Sequence, residues 1–125
     1  MLYFEYEKYK KKYIKVQEAY EALLTERENI ITSKTGFERI DDIEKSIRAL
    51  KQSLIDRKKV LDSKKEDVLN SHSVEDIVYR MRYIERVKVN RIAKCIHYSE
   101  TQTYRILNKI DENLETVRNS HYGRI

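Results

Sequence analysis

The chain contains no proline, and Gly36 is its only glycine before residue 123. Proline ends helices because it lacks an amide hydrogen and clashes with the preceding turn, and glycine ends them through its backbone freedom. Little in this chain therefore stops a helix once it has started, and the expected fold is all-α. The places where apolar periodicity fails then mark the helix ends.

It fails first at residues 32–36. Before that point Leu2, Tyr6, Tyr9, Tyr13, Val16, Tyr20, Leu23 and Ile30 recur mostly at steps of three and four, with Arg27 interrupting. That is the heptad pattern of a helix showing one seam to another helix. Ile40, Ile43, Ile47, Leu50, Leu54, Leu61 and Val68 continue it over 37–69, with Arg57 and Lys64 at seam positions. Two helices on the order of 45–50 Å long, joined at residues 32–36, are expected to form a coiled-coil-like antiparallel arm over 1–70. The tyrosine rings should lie flat on the neighbouring helix with their hydroxyls reaching solvent. Ile14, Leu24, Ile31 and Ile55 widen the apolar stripe past one seam. A second copy would cover that width, so a homodimer is expected, with Tyr6, Tyr9, Tyr13, Val16, Tyr20, Leu23, Ile43, Ile47, Leu50 and Leu54 at its interface. The alternative is a monomer whose arm folds back on the C-terminal domain.

Asn70-Ser71-His72-Ser73 closes the arm. Ser73 is the expected cap of a third helix, with Glu75 and Asp76 in its first turn and Ile77, Met81 and Ile84 facing inward. Residues 85–88 lead to V-N-R-I-A-K-C-I, in which Ile92, Ala93 and Ile96 share a face. His97-Tyr98-Ser99 breaks the period. Thr103, Ile106, Leu107, Ile110, Leu114 and Val117 then mark one side of a last helix reaching about Arg118. The small Ala93 lets that helix cross closely, which is the helix-turn-helix pattern. A three-to-four-helix domain is expected over 73–118, followed by a flexible tail over 119–125.

The net charge of +5 is unevenly placed. Residues 1–36 carry seven basic and six acidic side chains, and 37–72 carry nine and eight. From Arg80 to Lys109 there are eight basic residues against Glu85 and Glu100, so the positive field sits on the helix-turn-helix and would attract a polyanion. In this motif the start and outer face of the second helix enter the major groove. Those positions are Ser99, Glu100, Thr101, Gln102, Arg105 and Asn108. Gln102 and Asn108 suit adenine edges, Arg105 suits guanine, Glu100 suits cytosine, and Thr101 suits a thymine methyl or a phosphate. Arg80, Arg82, Lys88, Arg91, Lys94 and Lys109 are the expected phosphate contacts. Double-stranded DNA is therefore the expected partner.

Cys95 is the only cysteine and is expected to be partly buried, while His72, His97 and His121 lack zinc-binding spacing. No nucleophile–base arrangement or phosphate cradle is present, so no enzyme activity, metal or cofactor is expected. Glu5 and Glu7 stand where a signal peptide needs an apolar core, and no apolar run reaches membrane-spanning length. A cytoplasmic protein without a membrane partner is expected.

Val78-Tyr79-Arg80-Met81-Arg82-Tyr83-Ile84-Glu85, Arg91-Ile92-Ala93, Tyr98-Ser99 and Thr103-Tyr104-Arg105-Ile106-Leu107 together resemble region 4 of the sigma-70 family, over residues 74–115. The resemblance implies a promoter-reading helical module with Ser99, Glu100, Thr101, Gln102 and Arg105 at base-reading positions. Two departures stand out: His97 replaces the usual turn glycine, and Thr103 replaces a packing valine. Histidine tolerates a left-handed backbone at some cost. No counterpart of the promoter-melting region of a complete sigma factor is present. A helical arm joined to a region-4-like module is similar to small phage and prophage regulators of the ArpU and RinA type. That likeness implies transcription control, with the arm pairing subunits or contacting RNA polymerase. The alternatives are a phage DNA-packaging recognition subunit of the small-terminase kind and an adaptor that docks on RNA polymerase without touching DNA.

Overall fold

The computed structural model describes residues 1–119, which are all-α with no strand among them. Helix α1 spans Leu2–Ser33 and α2 spans Ile40–Leu69. α3 spans Val74–Tyr79 and runs on through a π turn at Arg80–Ile84. α4 spans Val89–Ile96 and α5 spans Glu100–Asn119. The expected tail lies, beyond Asn119, outside the described residues.

At a rise of 1.5 Å per residue α1 and α2 are about 48 and 45 Å long, and they pair as a hairpin. Lys34 closes α1 in a left-handed conformation, with its amide bonded to the Ile30 carbonyl at 2.9 Å. Gly36 is also left-handed, at φ 78°, which glycine adopts without steric cost. A 3-10 turn at Phe37–Arg39 follows, so α2 begins three residues later than the periodicity suggests.

Among the described residues two apolar clusters hold the helices together. Far from the C-terminal helices, Ile30, Ile43 and Ile47 pack with Tyr20, Leu23, Leu24 and Ile40. At the other end Tyr3, Tyr6, Leu61 and Val68 of the hairpin share one core with Val78, Tyr79, Met81, Ile92, Leu107, Ile110 and Leu114. The expected boundary near residue 70 is thus a chain turn but not a packing boundary. The root of the arm is part of the C-terminal core.

This packing covers, within the chain, many of the residues expected at the interface with a second copy. Tyr6, Val16, Ile43 and Ile47 are buried within the chain, Tyr9 and Tyr13 pack on the larger core, and Tyr20 and Leu23 pack on the smaller one. Leu50 and Leu54 are half-buried. The hairpin closes on itself because each heptad stripe meets the other. The surplus apolar residues do not form a second stripe: Ile14 and Ile31 are exposed but lie roughly 100° apart around α1. Tyr9 and Tyr13 are instead covered by cations, with the Lys64 ammonium 5.3 Å from the Tyr9 ring centre and that of Lys58 5.8 Å from Tyr13.

Three features join the arm to the rest. The buried carboxylate of Asp76 accepts the amides of Tyr3 at 2.9 Å and Leu2 at 3.4 Å, and the Ser71 hydroxyl at 2.7 Å. It therefore caps α1 from another helix, where the amides at a helix start have no partner of their own. Ser73 is the first residue before α3, as expected, yet its side chain makes no capping bond. At the opposite end Lys11 donates to the Val117 and Arg118 carbonyls at 2.7 and 2.6 Å, tying α1 to the last turn of α5.

Between these ties runs a stack of tyrosines. Tyr79 lies 5.1 Å from Tyr3 and 5.3 Å from Tyr83, nearly parallel to both, and Tyr6 meets its edge. Asn113 donates to the Tyr3 hydroxyl at 2.8 Å, Tyr79 donates to Glu7, and Tyr83 donates to Asp111. The π turn follows Val78 and Tyr79, which fill the core together with Met81, while Ile77 and Ile84 are half-buried against it. Its wider i to i+5 bond, from the Glu85 amide to the Arg80 carbonyl, shifts the inward face relative to a regular helix.

Burial pushes the Tyr79 hydroxyl far above the ordinary tyrosine range, aided by the Glu7 carboxylate, and burial also raises Tyr3 and Tyr6. The unfolded chain ionises near pH 10 and the folded one later. Stability is therefore complete below about pH 10 and falls as pH rises through the folded values. Tyr79→Phe is expected to flatten that fall when urea midpoints are compared on either side of pH 10. An unchanged slope would remove Tyr79 as its main source.

Candidate nucleic-acid interface

α4 and α5 are joined by a turn whose bonds are made by the backbone. The Tyr98 amide reaches back to the Ala93 carbonyl at 3.0 Å and the His97 amide to that of Lys94 at 3.4 Å. His97 is left-handed, at φ 61°. This is the Schellman arrangement, normally completed by glycine, so the expected left-handed histidine is present. His97→Gly is expected to raise stability by about 0.5–1 kcal/mol, because relief of left-handed strain exceeds the added chain entropy. Denaturant unfolding checks this, and a loss of stability would mean that the imidazole makes a compensating contact.

α5 then opens with a capping box. The Ser99 hydroxyl accepts the Gln102 amide at 3.1 Å, and the Gln102 side chain accepts the Ser99 amide at 3.1 Å. Thr103 is fully buried, and its hydroxyl donates to the Ser99 carbonyl at 2.9 Å. A threonine therefore replaces an apolar residue here without leaving a polar atom unpaired. Ile92 and Ala93 of α4 are buried, with Leu107 and Ile110 of α5 lining the same domain.

The opposite side of α5 is open. Glu100, Thr101, Arg105 and Asn108 are exposed and recur at helical spacing along the first half of the helix. Ser99 and Gln102 are exposed too, but their side chains are bonded to each other as the cap. They shape the helix start through the Ser99 hydroxyl and the Gln102 side-chain carbonyl. Of the early amides, those of Gln102 and Thr103 are already bonded, which leaves Glu100 and Thr101 for an outside acceptor.

The expected phosphate contacts divide in two. Arg82, Lys88, Arg91 and Lys94 are exposed, and among the described residues no ion pair joins any of them to an acid, while Arg82 donates to the Val87 carbonyl at 3.4 Å. Arg80 is turned inward, its Nη1 donating to the Leu69 carbonyl at 3.2 Å and its Nε lying 3.2 Å from the Glu85 carboxylate. Lys109 is paired with Glu75 at 2.9 Å. Arg80 thereby ties the π turn to the end of α2, and Lys109 ties α5 to α3.

Two residues were not marked by pattern alone. Arg86 is left-handed, at φ 58°, and lines one shallow depression with Lys88, Asn90 and Arg91 at the start of α4. Tyr104 is 52% exposed between Thr101 and Asn108. Its outward position follows from the inward register of Thr103 and Leu107, which was legible. Cys95 is exposed, not partly buried, because α5 covers only the Ile92–Ala93 side of α4.

Among the described residues no helix is long and apolar enough to cross a membrane. No protein-family model matches the chain, and neither curated proteins nor solved structures give a match.

Proposed function

We propose that the chain binds double-stranded DNA in a sequence-specific manner and acts in transcription control, with the first half of α5 in the major groove. The observation that carries this reading is the exposed face of Thr101, Tyr104, Arg105 and Asn108 on a helix positioned by a Schellman turn and a capping box. Arg82, Arg86, Lys88, Arg91 and Lys94 supply cations for flanking phosphates, which set register without reading sequence. Arg105 suits a guanine edge, Asn108 an adenine edge, and Thr101 a thymine methyl. The far part of the hairpin adds a bias: residues 18–44 carry eight acidic side chains against Arg27, Lys34 and Arg39, so a polyanion is repelled from that end. The likeness of residues 74–115 to sigma-70 region 4 is what adds transcription to DNA binding.

Selection of bound sequences from a random duplex pool tests the reading. Arg105→Ala is then expected to cost about 1–3 kcal/mol on the selected site and much less on unrelated DNA. Affinity is expected to fall steeply with added salt. Equal losses on both DNAs would end the base-reading role of Arg105. No enrichment from the pool would leave the adaptor reading in its place.

A further inference from the structure

Glu7, Lys10, Lys11, Ile14 and Lys15 fall on one face of α1, turned away from α2, and meet Leu114, Val117 and Arg118 of α5 across a groove of about 370 Å³. Its floor is apolar: Leu114 and Val117 are nearly buried, and Ile14, 40% exposed, forms one wall. Its rim is basic. Among the described residues no ion pair joins Lys10 or Lys15 to an acid, Arg118 pairs only loosely with Glu115 at 3.4 Å, and Lys11 bridges the two walls through the α5 carbonyls. Glu7, the only acid in the lining, accepts the Tyr79 hydroxyl.

We infer that this groove is a docking site for an acidic amphipathic segment of a partner protein. An apolar side chain seats on Ile14, Leu114 and Val117, and flanking carboxylates meet Lys10, Lys15 and Arg118. The combination of charges selects the occupant. A nucleic acid backbone would satisfy the cations but leave the apolar floor uncovered, and a neutral apolar segment would leave the cations unmatched. The groove also lies clear of the proposed DNA-reading face. Val117 and Leu114 are about 120° and 180° around α5 from Arg105, and nine or more residues further along it. The chain can therefore hold a protein segment there while the start of α5 is engaged elsewhere, and the inference does not depend on what α5 reads.

The test is selection of a random displayed-peptide library on the full-length protein, with amide-shift mapping of the enriched peptides. The expected result is enrichment of peptides with leucine, isoleucine or phenylalanine beside several acids, shifting Ile14 and Val117. Their affinity should fall roughly tenfold or more on Ile14→Glu and on Lys15→Glu, and should weaken with salt. No enrichment, enrichment without acidic bias, or unchanged affinity on both variants would overturn the proposal. So would nuclear Overhauser contacts from Tyr122 or Ile125 to Ile14 in the free protein, which would give the groove to the chain's own end. A dimer that Ile14→Glu dissociates would give it to a second copy.

Discussion

Tyr79→Ala is expected to lower the unfolding free energy by about 3–5 kcal/mol, the range for removing a buried aromatic ring. Tyr79 is 1% exposed and is the middle ring of the stack that joins α1, α3 and α5. Its loss opens a cavity and removes two stacking contacts, each worth about 0.5–1.5 kcal/mol beyond burial. It also strips Tyr3 of its neighbour while Asn113 still holds the Tyr3 hydroxyl, so the remaining rings cannot collapse freely into the space. A domain of this size commonly has only about 5–15 kcal/mol in total. Urea unfolding followed by circular dichroism gives the loss, and a value below about 1 kcal/mol would show that the stack does not join the helices. Tyr79→Phe separates the ring from its hydroxyl: it keeps the stack and should retain most of the stability near neutral pH.

Much of this was legible in the residues. The lack of proline, the break at Gly36 and the Thr103–Val117 register give the helices and the turn between α4 and α5, because those signals are local. What periodicity cannot give is the partner of a stripe. Heptad spacing marks Tyr6 and Val16 as inward but is silent on whether α2 or a second chain covers them. Tyr3 was missed because the heptad series runs through Leu2, which is 41% exposed, while Tyr3 is fully buried against α3 and α5. The S-E-T-Q spacing from Ser99 to Gln102 is a capping signature, yet the same residue types suit base edges, and the capping role becomes visible only in their mutual hydrogen bonds. Arg80 and Lys109 look like phosphate contacts for the same reason. Glu85 meets Arg80 only because the π turn sets residues five apart side by side, and Glu75 meets Lys109 only when α3 and α5 pack.

Asp76 carries the strongest consequence of that packing. An acid in the first turn of α3 reads as local dipole compensation, but its carboxylate is 1% exposed and serves the start of α1, more than seventy positions earlier in the chain. Asp76→Ala leaves the Tyr3 amide buried without an acceptor and removes a charged bond to Ser71, a combined cost of about 2–4 kcal/mol. Asp76→Asn keeps one acceptor oxygen and should cost less, since it loses mainly the charge facing the helix start. The Tyr3 amide should lose protection from hydrogen exchange in Asp76→Ala well before the Ile43–Ile47 region does, because the smaller cluster lies at the other end of the hairpin. The shared core dictates how the variant unfolds. Tyr3 and Tyr6 are structural parts of the module that holds α5, so the arm root and the C-terminal helices should melt in one transition. Fluorescence from the tyrosine stack and helical dichroism should then give coincident curves. Two separated steps, with α3–α5 surviving the loss of α1, would mean that the arm is an independent domain merely resting on its neighbour.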